Sequence, residues 1–150
     1  MKPLIVLIIA FGVALVTIKI GWRHYDFALA ARIAMTVMLL FTSMGHFKFP
    51  KGMAMMVPGF VPFKQTLVYL TGLFEIIAAI TLQFSNLRVT TGWLLVVFFL
   101  LMLPANINAA IKRIDYEKGT YEGKGIKYLW FRVPLQILFI AWVYLGAIRF

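Results

Sequence analysis

The chain has 150 residues, of which 63% are hydrophobic and 13% charged, and its mean hydropathy is +0.92. A water-soluble domain of that length needs more polar surface to cover itself, so lipid is its solvent. The net charge of +10 does not indicate nucleic acid, because the basic residues fall between apolar runs and form no dense face or tail. They suit anionic lipid headgroups and a topology signal. With no cysteine, the chain carries no disulfide, thiolate metal site or dithiol chemistry of its own. No linker, low-complexity tract or repeat divides it, so residues 1–150 read as one transmembrane domain.

A spanning helix needs about 20 mostly apolar residues. Five stretches come close: Pro3–Trp22, Phe27–Phe47, Thr66–Phe84, Val89–Ile111 and Tyr128–Ile148. The expected fold is therefore all-α, a transmembrane bundle of five spans. The first stretch spans only if Lys19 snorkels to the headgroups. As a signal peptide it would be cleaved near Ala28-Leu29-Ala30, but that site lies past Lys19, Arg23 and Asp26 and inside the next span. We expect the helix to be retained.

Five spans put the N-terminus and the 48–65 and 112–127 loops on one side. Ten of the 15 Lys and Arg residues go with them, which predicts a cytoplasmic N-terminus. Trp22, Tyr25, Tyr69, Tyr128, Trp130 and Tyr144 lie near span ends, where amphipathic rings favour the interface.

The second span carries Arg32, Thr42, Ser43 and His46 as a polar stripe. The loop after it, Lys48–Gln65, contains MAMMVPGFVP, too apolar for a solvated connection. We read it as a lid, with Met53, Met56, Pro58 and Phe60 covering whatever lies beneath; an interfacial anchor is the alternative. In the third span Glu75 is the one acidic residue within the membrane. An ionised carboxylate there costs roughly 2.5–3.5 kcal/mol, so it must be neutral, paired or wet. Thr71, Gly72, Ala79 and Leu82 share its face at about 100° per residue, and Leu73, Ile77, Ile80 and Phe84 lie opposite. Glu75 should thus meet a neighbouring helix at close range, as a structural hydrogen-bond partner or as a pocket residue.

Pro104 in the fourth span cannot donate to the Leu100 carbonyl, which predicts a kink or a free acceptor. Asn106 and Asn108 are about 200° apart, so one faces the interior at most. Asn106 is the deeper, and Asn108 is assigned to the headgroups. Arg132 and Gln136 share one face of the fifth span. By depth, His46, Asn106, Arg132, Gln136 and Glu75 form one polar cluster below the cytoplasmic surface. The two histidines, His24 and His46, are about 33 Å apart along one helix, so they cannot ligate one haem in one chain. No intrinsic metal or cofactor is expected.

The order of SMGHF (Ser43–Phe47), MVPGFVP (Met56–Pro62), YLTGLFEIIAA (Tyr69–Ala79), LPANINAA (Leu103–Ala110) and VPLQILFIAWVY (Val133–Tyr144) resembles the DoxX family of small bacterial membrane proteins. The resemblance covers roughly residues 28–148. It implies a four-helix core, here residues 27–148, preceded by an additional N-terminal helix at 3–22. It also implies that the family's recurrent polar positions correspond to His46, Glu75, Asn106 and Gln136. Such proteins are associated with membrane redox complexes, including a quinone-linked one, and their wider superfamily with sterol binding and receptor assembly. Three functions follow as expectations. One is an accessory redox subunit binding a quinone or other lipid, or a protein partner or second copy. Another is an assembly factor whose polar cluster is structural. The third is an enzyme on a lipophilic molecule with Glu75 as acid or base.

Overall fold

The computed structural model describes residues 2–150, and it is all-α. Six helices follow one another: α1 (Lys2–Trp22), α2 (Phe27–Lys48), α3 (Pro50–Met56), α4 (Lys64–Thr81), α5 (Arg88–Lys112) and α6 (Leu129–Val143). A 3-10 turn at Ile126–Tyr128 leads into α6, and a π turn at Tyr144–Arg149 continues it. Four segments are long and apolar enough to cross a bilayer: α1, α2, α5 and the continuous run Ile126–Arg149. The fourth helix falls short of that measure. Its 18 residues, about 27 Å, include Lys64, Gln65, Thr66, Thr71 and Glu75.

Local chemistry sets the ends. Asp26 caps α2 by accepting from the Leu29 N–H at 3.0 Å. Pro50 opens α3 at its first turn, where a missing N–H costs nothing. Arg113 ends α5 in the left-handed conformation, with the Ile114 N–H returning to the Ala109 carbonyl at 2.9 Å. Helix α5 runs unbroken through Pro104, which leaves the Leu100 carbonyl without its usual N–H donor.

Helix α2 is central, with α1 along one side and α4 along another; α5 pairs with α6. Leu7, Met35, Met38, Leu39, Leu82, Leu95 and Val143 are sealed between them. The outward faces are apolar too: Ile9, Val13 and Val16 on α1, Leu73, Ile77 and Ile80 on α4, and Leu94, Val97 and Leu101 on α5 all stand exposed. A bundle greasy both inside and outside is what lipid selects. Polar groups then act as cross-links. At one end, Thr36 donates to the Ala79 carbonyl (2.9 Å), Gln83 donates to Thr36 (2.6 Å), and Arg32 reaches the Gly146 carbonyl (2.9 Å). Trp142 donates to the Ala31 carbonyl (3.0 Å) and takes the ring of Phe11 edge-on at 5.1 Å, which binds α1 and α6 to α2.

The expected lid is more ordered than a loop. Met53 and Met56 belong to α3, which ends before Pro58. Gly52 packs so closely on the carbonyl of Tyr116 that any Cβ would collide with it. Pro58 and Phe60 lie beyond the end of α3. The chain turns away after Val57, neither residue lines the cavity beneath α3, and Phe60 is 87% exposed.

Candidate functional site: a polar cluster in an apolar cavity

Glu75 sits mid-helix on the face of α4 that packs against α2. The fit depends on Gly72, one turn earlier, where an added Cβ would lie 2.7 Å from the Cβ of His46. No larger residue lets the two helices approach this way. Ala79 completes the small face, fully buried, while Leu73, Ile77 and Ile80 look outward. The close approach brings Glu75 Oε2 to 3.4 Å from His46 Nε2 and 3.2 Å from Thr42 Oγ1. Both Glu75 and His46 are buried.

The other ring nitrogen constrains the tautomer. His46 Nδ1 lies 3.0 Å from the Val68 carbonyl and 3.1 Å from Thr71 Oγ1. A carbonyl only accepts, and Thr71 already donates to the same carbonyl at 2.9 Å. Nδ1 therefore carries a hydrogen. A neutral ring then has a bare Nε2, which needs the proton of a carboxylic acid; a charged ring donates from Nε2 to a carboxylate. Either arrangement leaves the pair without net charge, across an N···O separation of 3.4 Å.

This pair forms part of the wall of a cavity of about 410 Å³ bounded by α2, α3, α4, α5 and α6. Met38, Phe98, Phe99 and Phe139 make its apolar side, with Phe99 and Phe139 ring to ring at 5.6 Å. Asn106, Arg132 and Gln136 line it as well, so all five residues of the expected cluster face one space. Asn106 and Gln136 are buried, and Gln136 Oε1 has no hydrogen-bond partner among the described residues. Met53 and Met56 of α3, and Val57 just after it, line the cavity too.

Other participants are less visible in sequence. Asn108, assigned to the headgroups, instead donates to the Met56 carbonyl at 2.8 Å and ties the last turn of α3 to α5. Thr42 lies one turn before His46, and that spacing was the available signal. Tyr116 and the Lys2–Glu117 ion pair (3.2 Å, exposed) also line the cavity, brought there by long-range contacts that no local pattern encodes. Burial, then the neighbouring Glu117, pushes the Tyr116 hydroxyl above its ordinary pKa, so it remains a donor at neutral pH. Tyr116 is braced edge-on by Phe49 at 5.9 Å. No three His, Asp or Glu side chains group as metal ligands among the described residues.

Comparison with known proteins returns one family. The model described as "Domain of unknown function (DUF8561)" matches residues 35–147, and no DoxX family model matches. No curated protein and no solved structure matches the chain. The matched region begins within α2, leaves out α1, and contains His46, Glu75, Asn106, Arg132 and Gln136. The chain belongs to the DUF8561 family, as a multi-span helical membrane protein whose long helices enclose this cavity.

Proposed function

We propose that this protein crosses a bacterial inner membrane five times, with its N-terminus in the cytoplasm. In the cavity it binds a neutral lipophilic molecule with a hydrogen-bonding head, quinone-like, as an accessory subunit of a membrane redox system. The observation that carries the proposal is the unpaired amide of Gln136 facing the same aromatic-walled space as the His46–Glu75 pair. A buried polar group left unpaired costs about 1–3 kcal/mol, and a ligand that pairs it recovers that. A space of this size, mostly apolar with a few convergent polar groups, is the usual form of a small-molecule site. An electroneutral pair suits an uncharged head better than a charged one. The fifth crossing is α4, whose exposed face is apolar and whose polar face is satisfied by α2. The redox setting rests on the DoxX-like motifs alone, which is analogy of fold and not of chemistry.

A second reading has its own observation. A proton shared by His46 and Glu75 beside a cavity suits acid–base catalysis on the bound molecule, with Glu75 giving or taking the proton. Solvent extraction and mass spectrometry of the purified protein test the first reading. A stoichiometric quinone or other neutral lipophile, lost in a Gln136→Leu variant, is the expected result. A folded protein with an empty cavity would instead favour an assembly factor with a structural polar cluster.

A further inference from the structure

The deep cavity does not end at Arg132. A second cavity of about 300 Å³ adjoins it, sharing seven lining residues, Met56, Asn106, Tyr116 and Arg132 among them, and otherwise made by the end of α5, the 113–128 loop and the first turns leading into α6. The loop is firmly built. Asp115 and Thr120 exchange backbone hydrogen bonds at 2.8 and 3.2 Å, and Asp115 Oδ1 accepts from the N–H groups of Glu117 and Lys118. The Gly123 N–H donates to the Arg113 carbonyl, and a Cβ at Gly123 would lie 2.7 Å from the Ile114 carbonyl oxygen.

That loop delivers Lys124 to within 5.1 Å of the centre of the Tyr128 ring, and Arg132, one helical turn on, lies 5.8 Å from the same centre. Two cations thus share one ring. The acids of this cavity are engaged elsewhere: Glu117 pairs with Lys2, and Asp115 holds its own turn. Among the described residues neither Lys124 nor Arg132 has a carboxylate partner. Beside them, Ile126 and Trp130 project outward at 63% and 84% exposure, an apolar rim next to a cationic mouth. An anion that satisfies both features carries hydrocarbon with it.

We propose that Lys124 and Arg132, set around Tyr128, bind the phosphate of an anionic phospholipid headgroup, whose chains lie along the Ile126–Trp130 rim. Arg132 offers a planar pair of donors to the phosphate oxygens, and Lys124 offers a point charge. Basic recesses between spans are a recognised form of lipid site. This site goes beyond the lipophile of the deep cavity, and Lys124 belongs to the second cavity only.

The test uses the full chain, delipidated in neutral detergent and titrated separately with phosphatidylglycerol, phosphatidylcholine and inorganic phosphate, with bound lipid counted by native mass spectrometry. Phosphatidylglycerol should be retained in preference to phosphatidylcholine. Lys124→Gln should weaken that preference about fivefold, and adding Arg132→Gln should do so by about the same factor again. Arg132→Lys, which keeps the charge, should lose less than Arg132→Gln. Circular dichroism reports whether each variant folds, and Lys124 is exposed enough for its single variant to decide the matter alone. Equal binding of the two lipids, or a preference that Lys124→Gln does not move, overturns the proposal. Inorganic phosphate that displaces the lipid at equal concentration overturns the membrane as the source. The lipophile of the deep cavity is scored by solvent extraction, so the two readings fail in different measurements.

Discussion

Glu75 makes its contacts through one oxygen, which takes the Thr42 hydroxyl and faces His46 Nε2. Glutamine at this position keeps an acceptor for Thr42 but removes the exchangeable proton. Leucine removes both and leaves His46 without a partner on that side. We therefore expect Glu75→Gln to assemble normally, with altered ligand retention. Glu75→Leu should lose about 3 kcal/mol or more, the usual consequence of deleting one member of a buried pair. Thermal unfolding in detergent, run beside ligand retention, separates the two. Equal melting of both variants with the wild type would show that the pair contributes nothing to assembly.

At the scale of elements, α3 packs mainly on α4 and is tied on its other side to α5 and the 113–128 loop. The Asn108 side chain grips its last turn through the Met56 carbonyl, and Gly52 seats its middle under Tyr116. Removing one neutral hydrogen bond costs about 1 kcal/mol, close to fivefold in the open population. A cysteine at Met56 in this cysteine-free protein should accordingly react several-fold faster with a water-soluble maleimide once Asn108→Ala is added. A cysteine at Gly119 gives the upper limit. No acceleration would mean that α3 is held by its apolar side chains alone.

Four of the five expected membrane-crossing runs, and the residues that line the cavity, were legible because each rested on a local rule. Long apolar stretches have a length to match, and a buried carboxylate needs a partner at its own depth, which pointed to His46, Asn106 and Gln136. The remainder was set at long range. Phe60 reads like the methionines before it, yet the turn after Val57 carries it outward. Asn108 lies on the side of α5 away from Asn106, as its spacing requires, but nothing in its neighbourhood reveals that α3 passes there. Tyr116 and Lys124 have no periodic signal at all, because the loop that holds them is shaped by glycines and backbone hydrogen bonds.

For the whole molecule, five crossings require opposite termini. Reporter fusions at Lys2 and Phe150 should give cytoplasmic and external signals respectively, and matching signals would exclude α4 or α1 from the membrane. Helix α1 also has a role in the cavity. Lys2 and Pro3 line its mouth while Leu7 is sealed in the core, so removing α1 should open the site as well as destabilise the bundle.

The composition of α4 bears on how the chain is made. A ribosome delivers α2 to the translocon first, and α2 is apolar enough to pass into lipid unaided. Helix α4 follows with a carboxyl group at its centre and no partner of its own within the helix beyond Thr71, which is engaged with His46. It should hesitate at the lateral gate until α2, already in the membrane, presents Thr42 and His46 to receive it. In a glycosylation-reporter insertion assay, α4 alone should integrate poorly and α4 preceded by α2 should integrate well. Replacing His46 and Thr42 together by leucine should return it towards the level of the isolated helix. The residues that line the cavity would then also decide, during synthesis, whether α4 joins the bundle.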